Sequence, residues 1–178
     1  MLRISLCLML LWGIVCSMQP PGGAATTVVF VNCAETVHGT AGQVLTRTGH
    51  DQADQLVQFL RDQPVEAVYT PFMGCLKQTV APLAASKNTE VRYFRDACES
   101  DPAVMEHILS EMLKKHTGKT IVICAPPKSI LKMANLLGIK EKELKPGLGL
   151  FEELLIVNVF YGGEAVAQKL NMNFQKKV

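Results

Sequence analysis

The sequence is short of the residues on which most binding and catalytic chemistries draw, and each shortage excludes something. Its one tryptophan, Trp12, lies in the first apolar stretch, and aromatic residues make up only 6% of the chain. There is thus no aromatic platform for stacking single-stranded nucleic acid. The formal charge is +2, and loss of Arg3 with a leader would reduce it to +1. No dense basic run occurs; the Lys176-Lys177 pair reads as a solvated tail. An electrostatically driven nucleic-acid binder is excluded on that balance. Histidine is scarce: His38, His50, His107 and His116. The last two share one predicted helix, nine residues apart, and cannot face a common metal. No Cys-x-x-Cys pair exists, so neither a zinc ribbon nor a thioredoxin-type site is supported. No metal and no cofactor are expected. There is no Asn-x-Ser/Thr sequon; Asn88-Thr89-Glu90 fails at its third position.

What is present begins with a leader-like segment. Arg3 precedes an almost wholly apolar run from Ile4 to Val15, and the small residues Ser17 and Gly22 to Ala25 offer cleavage points. A bilayer span takes roughly 20 apolar residues, and this run falls well short. Residues 1–25 therefore read as a cleaved signal peptide and residues 26–178 as one secreted, extracytoplasmic domain with no transmembrane segment. A retained membrane tether is the alternative. Lipidation at Cys16 is disfavoured because Val15 is bulky for the position before a lipidated cysteine. Of six cysteines, Cys7 and Cys16 leave with the leader, and Cys33, Cys75, Cys98 and Cys124 remain. In an oxidising compartment an even number makes disulfides plausible.

The rest of the chain alternates strand and helix signals. Thr27 to Val31 is a β-branched and aromatic run suited to a strand buried on both faces. Residues 46–61 carry a helical stripe of Ala53, Leu56, Val57 and Leu60, with Thr46 or Thr48 as cap. Strands follow at 65–69, 91–94 and 120–124, helices at 72–85, 102–116 and from Pro126-Pro127 to Gly138. Residues 140–149 form a polar loop. Two last strands, 154–161 and 165–171, are joined through Gly162-Gly163, a tight-turn dipeptide. Repeated β–α units predict an α/β fold: a mainly parallel central sheet, helices on both faces, and a C-terminal antiparallel hairpin.

Ligands in such sheets sit at the carboxyl ends of strands, and there the chain resembles the histidine phosphatase superfamily, the phosphoglycerate-mutase-like fold. Where that family reads Arg-His-Gly-Glu-Thr after its first strand, this chain reads Asn32-Cys33-Ala34-Glu35-Thr36. The family's Leu-Thr-x-x-Gly-x-x-Gln-Ala is matched in full by Leu45 to Ala53. Its Tyr-Ser-Ser strand end and Arg-Ala-x-Gln-Thr-Ala helix correspond to Tyr69-Thr70-Pro71 and Cys75-Leu76-Lys77-Gln78-Thr79-Val80. Its Ser-His-Gly-Gly corresponds to Cys124-Ala125-Pro126-Pro127. The resemblance spans nearly all of residues 27–173.

The resemblance implies a chemistry and, in the same stroke, its loss. The family closes two arginines and two histidines around a phosphoryl group, one histidine forming a covalent intermediate. By position those four groups are Asn32, Cys33, Cys75 and Ala125 here, so the pocket is vestigial and no catalytic residue remains. Glu35 and Thr36 stand beside it, and Asp96 is the match for the family's proton donor. Lys128 and His38 are the groups that could still meet a phosphate, although a solvated helix start and a surface loop account for them as well. A cysteine-dependent phosphatase is not supported: an arginine should follow the cysteine by six, and Gly39 and Ala81 stand there. The resemblance also brings Cys33, Cys75 and Cys124 to one pocket. It implies a disulfide from Cys33 to Cys75, or to Cys124, with buried thiols as the alternative. The expectation is a catalytically inactive protein acting by binding an unidentified protein or phosphorylated ligand. The competing expectation is a phosphomonoesterase whose site is rebuilt from His38, Asp96 and Lys128.

Overall fold

A computed structural model describes residues 25–37, 44–98, 100–140, 144, 151 and 153–172. Residues 1–24, which hold all but the last residue of the expected signal peptide, lie outside the described residues, as do His38 and most of the 140–149 loop. Six strands form one sheet: β1 (Thr26–Val31), β2 (Val65–Pro71), β3 (Val91–Phe94), β4 (Thr120–Cys124), β5 (Glu153–Val159) and β6 (Ala165–Asn171). Their order is β3-β2-β4-β1-β5-β6. Strands β1 to β4 pair in parallel, while β5 runs antiparallel to β1 and β6 antiparallel to β5. The expected fold class is present.

Alternation along the central strands sorts side chains between two cores. Val28 and Phe30 of β1, Ile121 and Ile123 of β4 and Tyr69 of β2 point to one face. There they meet α3 (Pro102–Lys115) and α4 (Pro127–Leu136) through Met105, Leu109, Ile130 and Met133. Val29, Val31, Val68, Val122 and Cys124 point to the other. Their partners are Ala53 and Leu56 of α1 (Arg47–Phe59) and Leu76, Val80 and Leu83 of α2 (Gly74–Ser86). The unbroken apolar runs of β1 and β4 are what burial on both faces requires. Burying a side chain of this size contributes about 1.5–3 kcal/mol.

Helix ends follow local chemistry. The Thr46 hydroxyl accepts from Gly49 N at the start of α1. Asp101 accepts from Val104 N at the start of α3, with Pro102 in the first turn and Lys114 and Lys115 in the last. Such a cap contributes about 1 kcal/mol. Helix α4 closes in a Schellman arrangement: Gly138 at φ 87°, with Ile139 N on Ala134 O and Gly138 N on Asn135 O. Helix α2 ends the same way with Asn88 at φ 52° in the left-handed position.

The β5–β6 connection differs from expectation. Pairing extends one step past the strands through Phe160 N to Glu164 O. Three residues, Tyr161 to Gly163, therefore make the loop, with Gly163 at φ 84° and its N–H on Phe160 O. A three-residue loop with glycine in the left-handed region replaces the two-residue turn.

Candidate functional site

The loop leaving β1 is gripped from two helices. Glu35 O accepts from Thr46 N at 3.0 Å, and Glu35 N donates to Gln52 Oε1 at 2.8 Å. The Thr46 hydroxyl, while capping α1, donates to the Glu35 carboxylate at 2.7 Å. Gly49 is packed so closely that a Cβ there would stand 2.1 Å from Glu35 O. From α2, the Thr79 hydroxyl accepts from Ala34 N at 3.1 Å and donates to Cys75 O at 2.8 Å. Gln78 Oε1 accepts from Leu45 N at 3.2 Å. The residues of the Leu45–Ala53 motif and of Gln78-Thr79 thus fix the backbone of one loop. Unmade, each buried contact of this kind would cost about 1–3 kcal/mol.

Next to this grip lie the four positions that the resemblance aligns with the family's phosphate ligands. Strands β1 and β4 are neighbours with Val31 opposite Cys124, and Ala125 N continues the ladder to Val31 O at 3.0 Å. Asn32 is 8% exposed, and its Oδ1 accepts from Cys33 N at 2.7 Å. Cys75 is 2% exposed and Ala125 fully buried. Cys33 is half-buried, with Thr79 Oγ1 3.9 Å from its sulfur and Cys75 in hydrogen-bond contact. Cys33 thus meets Cys75, Asn32 bonds to Cys33, and Ala125 lies beside Val31; Asn32, Cys75 and Ala125 are packed into the interior.

The disulfide expected from Cys33 to Cys75 or Cys124 is not formed, and the cysteines of the described chain are thiols. Cys124 turns its sulfur to Asn32 O at 3.8 Å. Cys33 and Cys75 meet as hydrogen-bonded thiols. Burial, then Cys75, pushes the Cys33 thiol far up, and burial does the same to Cys124. A nucleophilic cysteine needs a lowered value, so neither has that character. None of the four positions carries a cation. A displaced phosphoryl oxygen would find no charged donor from them, and each absent donor forfeits about 2.7–4 kcal/mol of transition-state stabilisation.

Asp96 is bonded to the start of α4. Its Oδ2 accepts from Ser129 Oγ at 2.6 Å and its Oδ1 from Cys98 N at 3.2 Å, tying the segment after β3 to the first turn of α4. Lys132 Nζ joins the same tie through Cys98 O at 2.9 Å. Burial, followed by Asp96, pushes the Cys98 thiol up to about 11. Glu35 is held by Thr46, and Lys128 sits beside Ser129 at the start of α4. His38 lies outside the described residues. Among the described residues no group of three His, Cys, Asp or Glu side chains could hold a metal ion. No helix among them is long and apolar enough to cross a membrane.

One polar cluster escaped the sequence reading. His116, capping α3 and 2% exposed, has its Nε2 2.9 Å from Tyr69 Oη and 3.2 Å from Arg92 Nη1. A guanidinium can only donate, so Nε2 accepts and the proton sits on Nδ1. Nδ1 has no hydrogen-bond partner, with Glu66 3.9 Å away. Burial first, then Arg92, lowers the His116 pKa. The aromatic residue in the Tyr-x-x strand end was visible; its histidine partner, 47 residues away, had no local signal.

Residues 27–127 match the family model described as histidine phosphatase superfamily (branch 1). Among solved structures, a phosphoserine phosphatase from Entamoeba histolytica in complex with 3-phosphoglyceric acid superposes with a TM-score of 0.62. It is 16% identical over 82% of this chain and 96% of that one. A mycobacterial glucosyl-3-phosphoglycerate phosphatase gives a TM-score of 0.66 at 12% identity, over 85% of this chain and 100% of that one. The protein histidine phosphatase SixA complexed with tungstate gives 0.65 at 14%, over 82% and 97%. No curated protein sequence matches the chain. At these identities the structural likeness establishes the fold.

Proposed function

The chain belongs to the histidine phosphatase superfamily, and from that membership we propose that it is a secreted, catalytically inactive relative that works by binding. One observation carries the reading. The positions of the family's two arginines and two histidines hold Asn32, Cys33, Cys75 and Ala125, three of them buried and none charged. The structural neighbours are phosphatases by name; the shared fold does not carry their activity across. The partner is a protein or a phosphorylated ligand.

The test is turnover by the purified protein on a chromogenic phosphomonoester, phosphoserine and 3-phosphoglycerate across an acid-to-alkaline pH series. No release of phosphate above background and no phosphohistidine are expected. Activity abolished by His38→Ala or Asp96→Ala would overturn the proposal in favour of the rebuilt phosphomonoesterase site. Secretion is tested by expression in a secreting host and N-terminal sequencing of protein from the medium. A new terminus between Ser17 and Thr26 is expected. Protein that stays with the cells and begins at Met1 would refute export.

A further inference from the structure

A groove of about 450 Å³ lies between the β3 edge and α3, on the sheet face opposite Cys33, Cys75 and Cys124. Its inner side is apolar: Tyr69, Phe94, Ile108 and Met112. Tyr93 meets it from the β3 edge; pairing sets Tyr93 beside Thr70 and Phe94 beside Pro71, so the Tyr93 ring leaves the sheet on the other face, where it meets Phe72 with ring centroids 5.2 Å apart at 62°. The Tyr69 hydroxyl is fixed from within by His116 and Arg92, so this part of the groove is rigid.

The rim is unbalanced in charge. Arg95, His107 and Lys115 line it. Its one carboxylate, Glu111, is bound to Lys114 at 3.0 Å, and that contact lowers its pKa. An apolar floor that includes the Tyr69 and Phe94 rings, with an excess of cations around it, complements a flat apolar body bearing one negative charge. The volume falls within the range of small-molecule sites, about 300–1,000 Å³. We propose that this groove is a binding site for a small aryl anion: an aromatic body lying against Tyr69 and Phe94, its acid group meeting Arg95 and Lys115. The site goes beyond the reading of lost catalysis and shares none of the four vestigial positions, so either can fail without the other.

The experiment titrates the purified protein with 2-naphthoate and with its neutral counterpart 2-naphthylmethanol, by calorimetry and by methyl NMR. Saturable naphthoate binding is expected with a Kd of about 1 mM or below, with shifts centred on Ile108 and Met112. The alcohol should bind about fivefold more weakly, and Arg95→Ala with Lys115→Ala should erase the preference for the acid. Both residues are exposed, so that variant keeps its fold. Ile108→Trp, which fills the groove, should abolish binding, its fold checked by circular dichroism. Absence of saturation, equal affinity for acid and alcohol, or shifts centred elsewhere would overturn the proposal.

Discussion

The loop after β1 and the four positions around it share one end of the sheet, yet they are built for different ends. In the loop, Glu35 is held by Thr46, Gln52 and the close approach of Gly49, and Ala34 by Thr79. These residues match the family in type and position. At the four positions, on the proposed reading, Asn32, Cys33, Cys75 and Ala125 stand where the family's phosphate-binding groups would be. The retained residues bond to backbone; the replaced ones would have bonded to substrate. The fold needs the first set whether or not there is turnover, because an ungripped loop would leave backbone groups unpaired beside the core. It needs the second set only for chemistry. A family signature is therefore two signals overlaid, and this chain separates them.

The largest expected effect tests the retained half. Gly49→Ala places a methyl group 2.1 Å from Glu35 O, and backbone has to move to admit it. Destabilisation of about 3 kcal/mol is expected, at the upper end for overpacking, with less than about 1 kcal/mol returned by helix propensity. Urea unfolding measures it, and a neutral result would break the comparison. Thr79→Val comes next: the shape is kept, but the buried acceptor for Ala34 N is lost. A loss of about 1–3 kcal/mol is expected by the same measurement.

How far the sequence could be read follows the same division. Strand β4 lies where its apolar run puts it, because burial on two faces leaves a local trace, whereas the mostly half-exposed edge strands β3 and β6 are marked out by the turn residues around them. The match from Leu45 to Ala53 fixed the loop without disclosing its purpose; that Gly49 faces a carbonyl needs three dimensions. Asn88 at the end of α2 and the three-residue loop at Gly163 turned on backbone geometry that several residue types tolerate. Cys33, Cys75 and Cys124 interact with one another, but thiol orientation decides bridging, and Cys124 points at Asn32 O. His116 was invisible because its partners Tyr69 and Arg92 come from two other elements.

His116 lets the comparison be sharpened by pH. Asn32 and Ala125 do not titrate, and the Cys33 thiol is pushed up, away from the neutral range. Among the described histidines, the shift that bears on stability near neutrality lies on the opposite face, at His116. The His116 pKa is lowered in the folded chain by burial and by Arg92, with Lys115 adding to Arg92 and Glu66 opposing. As pH falls below about 6.5 the unfolded chain takes up a proton that the folded chain does not. The stability contributed by neutral His116 is thus complete above that value and is lost as pH drops toward the lowered folded pKa. Urea midpoints should fall over that window in the parent, and His116→Gln should flatten that part of the slope. A slope unchanged in the variant would place the titrating group elsewhere.

The smallest effect is expected at the position where an active relative would suffer most. Cys33 stands in place of the nucleophile, the residue whose removal ends the covalent route in the family's mechanism. Here it is half-buried, its sulfur 3.9 Å from the Thr79 hydroxyl and in contact with Cys75. Serine is smaller by little and offers a stronger donor to the same neighbours. The Thr79 hydroxyl keeps its bonds to Ala34 N and Cys75 O regardless. Cys33→Ser should therefore change stability by no more than about 1 kcal/mol and leave phosphate release at background. A loss above about 2 kcal/mol would mean that the vacated position had acquired a structural duty comparable to that of Thr79. The division between retained architecture and discarded chemistry would then fail at its centre.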